Sequence, residues 1–130
     1  MTNVLKKLAY VEDEEDIRTI AKMALEMVGG YEVHLFASGD EALLGLPALK
    51  PQLILMDVMM PGRDGPGTLQ ALREIPALAE VPIIFMTAKA QQAEIAQYIA
   101  LGAIGVITKP FDPMALAGQI TELWLQHQTR

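Results

Sequence analysis

Five side chains in this sequence could do chemistry together if the fold brought them close: Glu12 and Asp13, adjacent near the start, then Asp57, Thr87 and Lys109. Three carboxylates held near one another resist joint ionisation, so such a cluster calls for a cation. A hard divalent ion with oxygen ligands, most naturally Mg2+ keeping several of its waters, relieves the repulsion, and Lys109 adds a fixed positive charge. A carboxylate oriented at a metal is a competent covalent nucleophile, which makes Asp57 the candidate acceptor of a phosphoryl group as an acyl phosphate. Lys109 and the Thr87 hydroxyl would then hold phosphoryl oxygens and spread the transition-state charge. That step needs no general base.

Taken singly, each residue has a plainer reading. Asp13 is a good helix N-cap, and Glu12 to Asp16 suit a first turn favoured by the helix dipole. Thr87 could cap a following helix, and Lys109 alone reads as a surface lysine. Asp57 is the weakest candidate for a cap, because Val58-Met59-Met60-Pro61-Gly62 does not begin a helix. The chemical reading depends on whether the elements carry all of these positions to one place.

Short apolar runs alternate with longer amphipathic stretches, the signature of βαβ units. The spacing predicts strands at Leu8 to Val11, Glu32 to Phe36, Leu53 to Met56, Ile83 to Met86 and Gly105 to Ile107. Helices are expected over Glu14 to Val28, Gly39 to Leu46, Pro66 to Ile75, Ala90 to Leu101 and Pro113 to Gln126. Gly29-Gly30 and Gly102 serve as stops, and Ser38 as an N-cap. Leu53 to Met56 and Ile83 to Met86 are apolar at every position, so both faces of the sheet must be covered. The expected fold class is therefore α/β: one doubly wound, five-stranded parallel sheet in the order 2-1-3-4-5, with five helices. Ligands of such sheets bind beyond the carboxyl ends of the strands. Glu12-Asp13, Asp57 and Thr87 directly follow three of the strands and the fifth runs into Thr108-Lys109-Pro110, so these residues should share that edge.

Composition narrows the function further. With 130 residues, 52% of them hydrophobic, the chain suits a single domain over 1–130. Sixteen acidic against ten basic residues give a net charge of −6, and no basic cluster offsets it, which argues against direct nucleic-acid binding. There are no cysteines, so neither disulfides nor a zinc-thiolate site can form. No apolar run is long enough to span a bilayer, and the first nine residues lack a signal-peptide pattern, so a soluble cytoplasmic protein is expected. His34 and His127 have no partners at metal-ligand spacing.

Read in order, Tyr10-Val11-Glu12-Asp13-Glu14, Leu55-Met56-Asp57-Val58-Met59-Met60-Pro61-Gly62 with Asp64-Gly65, Met86-Thr87-Ala88, and Gly102-Ala103 leading to Lys109-Pro110-Phe111 resemble the receiver domains of two-component response regulators, CheY-like and flavodoxin-like in fold. The resemblance covers essentially the whole chain. It implies that Asp57 is the phosphoacceptor, that Glu12 and Asp13 are the acidic pair at Mg2+, that the Met59 backbone carbonyl is a further metal ligand, and that Thr87 and Lys109 hold the phosphoryl group. It also implies a cis peptide before Pro110, and a phosphohistidine donor on a sensor histidine kinase or histidine phosphotransfer protein. A receiver promotes its own phosphorylation and dephosphorylation but turns over no separate substrate, so it is not an enzyme in the ordinary sense.

Two positions depart from the family pattern. Val106 stands where a ring is usual, which removes the usual coupling between Thr87 and an aromatic at this switch position. Glu12 replaces the commoner aspartate. Met59 and Lys89, two residues beyond Asp57 and Thr87, would overhang the site and affect the phosphoryl lifetime, or else are plain loop residues. The last helix carries Met114, Leu116, Ile120, Leu123, Trp124 and Leu125, more than one stripe can bury. A homodimer or downstream protein docking on the fourth and fifth helices, including Tyr98, is the functional reading of that surplus; ordinary core and scattered surface apolars is the plainer one. Two rival functions remain: a haloacid-dehalogenase-like phosphatase, opposed by Met59 where its Asp-x-Asp motif needs an acid, and a pseudo-receiver that binds partners without phosphorylation, favoured only by Val106.

Overall fold

The structure, a computed structural model, describes residues 4–129. Its five parallel strands are β1 (Lys7–Val11), β2 (Glu32–Phe36), β3 (Leu53–Asp57), β4 (Ile83–Thr87) and β5 (Gly105–Thr108), in the order β2-β1-β3-β4-β5. The helices are α1 (Glu15–Met27), α2 (Gly39–Leu49), α3 (Gly65–Arg73), α4 (Gln92–Leu101) and α5 (Leu116–Gln128), with a short 3-10 turn at Pro76–Leu78. The expected α/β class and strand order are both observed.

Every residue of β3 and β4 is buried, because alternate side chains feed two separate cores. On one face Leu8, Tyr10, Leu53, Leu55, Ile84, Met86 and Ile107 pack with Leu25 of α1 and Leu116, Ile120 and Trp124 of α5. On the other, Ala9, Val11, Ile54, Met56, Ile83 and Phe85 pack with Ala42 and Leu46 of α2 and Leu69 and Leu72 of α3. A one-residue slip in any central strand would exchange these two sets, so the register that sets the strand ends is strongly specified.

Several element limits differ from the sequence expectation for identifiable reasons. Helix α2 continues through Pro47 to Leu49, because buried Leu46 and partly buried Leu49 pack on the core and outweigh the intrinsic cost of an interior proline. It stops where Lys50 turns left-handed at φ 54°. Helix α3 ends at Arg73, before Ile75, since Pro76 drives the preceding residue out of the helical region; Ile75 sits at φ −93°, ψ 116°. Helix α5 begins at Leu116, not Pro113. There Asp112 folds the chain into a turn first: its side chain accepts from the Met114 N–H at 2.9 Å, and its carbonyl from Ala115 and Leu116.

Candidate functional site

The carboxyl ends of four strands form one edge. Asp57 and Thr87 are the last residues of β3 and β4, one place further into the strands than expected. Glu12 follows β1 and prolongs its ladder, its N–H donating to the Phe36 carbonyl at 3.0 Å. Lys109 follows β5 and is tied to β4 by its N–H on the Thr87 carbonyl at 2.8 Å. The register opposes Asp57 to Met86 and Thr87 to Thr108, which brings these ends level.

Glu12, Asp13 and Asp57 form a three-carboxylate cluster, with one oxygen from each lying within 4.8 Å of the others. Glu12 and Asp57 are buried, and Asp13 is half-buried at the rim. Lys109 Nζ sits between the two buried acids, 2.8 Å from Glu12 Oε1 and 3.3 Å from Asp57 Oδ1. Glu12 has further donors: the Tyr10 hydroxyl reaches its Oε1 at 3.2 Å and the Glu14 N–H its Oε2 at 3.2 Å. Its backbone carbonyl takes the Arg18 guanidinium at 2.8 Å.

These contacts divide the charge unequally. Burial and the Glu12 charge beside it push the Asp57 carboxyl up to about 6, against the pull of Lys109. Burial acts upward on Glu12 as well, but the Lys109 and Glu14 hydrogen bonds outweigh it and hold Glu12 below the usual range. Asp13 is raised by burial and by neighbouring Glu12. Lys109 is lowered by burial and raised more strongly by its two acids, so it stays an ammonium. Burial and the Glu12 charge hold the Tyr10 phenol well above its usual range, which keeps it a donor. The surplus of negative charge suits the oxygen ligation of a hard divalent cation by the three carboxylates Glu12, Asp13 and Asp57.

The plainer readings can now be judged. Asp13 is not an N-cap; the residue before α1 is Glu14, whose side chain makes no capping bond. Thr87 does not cap α4, which begins five residues later, behind Gln91, whose N–H donates to Glu94 Oε1 at 3.2 Å. Instead Thr87 Oγ1 accepts from the Lys89 N–H at 3.0 Å, and its proton remains for a further acceptor. Lys109 is no ordinary surface lysine: 16% of its side chain is exposed.

Other expected positions lie around the cluster. Met59 and Lys89 are exposed on the loops after β3 and β4. Val106 is half-buried in β5, in register with Phe85, and the Lys109–Pro110 peptide is cis. Neither histidine joins the cluster among the described residues; His34 pairs with Glu32 two residues earlier on the same strand face. Of the surplus apolar residues near α5, Leu116, Ile120 and Trp124 are buried, while Met114 and Leu125 are exposed. A larger exposed group, Ile20, Met23, Met27 and Val28, belongs to α1 and its end.

Two contributors, Tyr10 and Gly65, stand in the sequence motifs without a role of their own. Tyr10 lies two residues before Glu12, and that i, i+2 spacing on a strand was the available signal. Gly65 was noted only as part of a motif. A Cβ there would stand 2.6 Å from the Asp57 carbonyl oxygen and 2.9 Å from Val58 Cα, so only glycine lets α3 start this close. Its N–H bonds the Val58 carbonyl at 2.9 Å, and Asp64 caps the helix by accepting from the Gly67 N–H at 2.8 Å. Together they close the loop that follows Asp57.

The sequence model of the response regulator receiver domain family matches residues 8–121. A probable transcriptional regulator, ycf27, of Cyanophora paradoxa is 41% identical over 118 residues, covering 91% of this chain and 48% of the relative. The phosphate regulon transcriptional regulatory protein PhoB of Rhizobium meliloti is 35% identical over 117 residues, covering 90% and 51%. The chain thus spans about half the length of the curated relatives it matches. Among solved structures, the chemotaxis response regulator CheY4 of Vibrio cholerae superposes with a TM-score of 0.85 at 29% identity, covering 92% of this chain and 99% of that one.

Proposed function

Because the chain belongs to the response regulator receiver domain family, we propose that it is a Mg2+-dependent signalling switch that takes a phosphoryl group onto Asp57. The carrying observation is the position of Lys109 Nζ, within hydrogen-bond reach of both buried acids at the edge where Asp57 and Thr87 end their strands. The donor in this reading is a phosphohistidine on a sensor histidine kinase or histidine phosphotransfer protein. An Asp57 carboxylate oxygen bonds to phosphorus as the P–N bond breaks, and the electron pair returns to the imidazole nitrogen.

Each residue has a share in that transfer. Lys109 moves its ammonium to a phosphoryl oxygen, and Thr87 donates its free hydroxyl proton to another. Glu12, Asp13 and Asp57, with the Met59 carbonyl, are the proposed metal ligands. Mg2+, when bound, would supply the positive charge that the three carboxylates lack and a Lewis-acid contact to the transferring group. The 1–130 chain acts in this reading as a single receiver domain, a signalling module and not a metabolic enzyme. It is read as cytoplasmic; among the described residues no helix is long and apolar enough to cross a membrane. Its output is a changed surface on α4 and α5, offered to a downstream protein or a second copy. Direct nucleic-acid binding by these residues is opposed by the charge of −6.

Val106 favours a second reading, a partner-binding module that is never phosphorylated, since it offers no ring to follow Thr87. Intact mass after treatment with acetyl phosphate and Mg2+ separates the two. The expected result is one phosphoryl adduct that requires Mg2+ and is absent in Asp57→Asn. No adduct, together with no binding of fluoroberyllate, would establish the second reading.

A further inference from the structure

We propose that the Tyr10 hydroxyl positions Lys109 for phosphoryl binding: it is the donor that Glu12 keeps when the lysine turns from Glu12 to a phosphoryl oxygen. The inference rests on the receiver reading of the site. Glu12 is fully buried, and its Oε1 is shared between Lys109 Nζ at 2.8 Å and the Tyr10 hydroxyl at 3.2 Å. A buried carboxylate that loses its cationic partner is left strongly uncompensated. The penalty is smaller if other donors remain on it. Without Tyr10, Oε1 would keep no donor among the described residues after Lys109 left, and Oε2 would stay bonded to the Glu14 N–H.

The tyrosine is built for a fixed role. It is fully buried in β1, flanked in register by Leu35 and Leu55, and shares a strand face with Glu12, so its hydroxyl has no room to swing away. Its hydrogen bond goes to Glu12, and among the described residues neither Asp13 nor Asp57 accepts from it. Lys109 already spans the distance between Glu12 and Asp57, so a short shift exchanges its partners. Tyr10 is accordingly a positioning residue acting through Glu12 on Lys109, while the other two carboxylates of the proposed metal site, Asp13 and Asp57, make no hydrogen bond with it among the described residues.

The test compares dissociation constants for Mg2+ alone and for fluoroberyllate at saturating Mg2+, by isothermal titration calorimetry, in wild type, Tyr10→Phe and Tyr10→Leu. Tyr10→Phe should leave Mg2+ binding within about twofold and weaken fluoroberyllate about threefold to tenfold, less than the full worth of one hydrogen bond to a charged group because the Tyr10–Glu12 bond is already made in the unliganded protein. Tyr10→Leu should show the same split with a lower thermal midpoint, since it also disturbs packing. Equal fluoroberyllate affinity in wild type and Tyr10→Phe, or parallel weakening of both ligands, would overturn the proposal and leave Tyr10 a core residue. A wild type that binds no fluoroberyllate is a different outcome, and it removes the receiver reading together with the proposal.

Discussion

Asp57 carries a conflict that makes it testable without any partner. Its carboxyl is raised to about 6 from an ordinary 3.8, so between those values the folded protein binds more protons than the unfolded chain. The contribution of Asp57 to stability in the absence of metal, read as the difference between wild type and Asp57→Asn, should therefore fall as pH rises from about 4 to 6 and level off above. The ionised group then costs on the order of 1–3 kcal/mol at pH 7.5. Asp57→Asn removes that charge and should raise the metal-free thermal midpoint at pH 7.5. Its advantage should shrink as pH approaches 4, and shrink again when Mg2+ stabilises the wild type by binding it. Thermal melts across pH, with and without Mg2+, check this; a variant less stable than wild type at pH 7.5 would mean that the Asp57–Lys109 contact outweighs the crowding of charge. Residue types and order alone singled out the five residues that the fold carries to one edge of the sheet. The donors on Glu12 stayed hidden, because the meeting of a tyrosine and a lysine 99 positions apart on one carboxylate oxygen is a fact of packing.

Among the helices, α4 is held differently from the rest. It has no fully buried residue, and it rests on the sheet largely through Tyr98, whose ring meets Phe85 edge-on with centroids 5.3 Å apart. Helices α1, α2, α3 and α5 each sink several side chains into a core. Local opening is easiest where few apolar contacts must break, so α4 amides should exchange with deuterium earliest among the helices. Hydrogen exchange read by mass spectrometry checks the order, and protection of α4 equal to that of α1 would contradict it. Fluoroberyllate should alter exchange in the loop after β4, where the Thr87 hydroxyl holds the Lys89 N–H, before any effect at α1. Strand positions were readable from apolar runs because both faces are covered. Helix limits were less so: Pro47 is overruled by the burial of Leu46, Asp112 spends a turn before α5, and the 3-10 turn after Ile75 had no periodic signal.

For the whole molecule, the doubly wound order follows from alternating elements and right-handed crossovers, and it is what gathers residues from 12 to 109 at one edge of one sheet. The gathering of these residues was legible because they lie at the ends of four strands of one parallel sheet. The route by which a signal leaves was not, since Val106 breaks the usual pattern and the larger exposed apolar group lies on α1, beside the entry to α5 at Pro113 and Met114 and not on α4 or α5 themselves. The account stands or falls on where the phosphoryl group goes. The most direct measurement is to treat the protein with acetyl phosphate and Mg2+, reduce it with borohydride, which converts an aspartyl phosphate to homoserine, and map the peptides by tandem mass spectrometry. Conversion at position 57 alone, lost when Mg2+ is omitted, is the expected result; an unmodified Asp57 beside a modified residue elsewhere would contradict the assignment of the site.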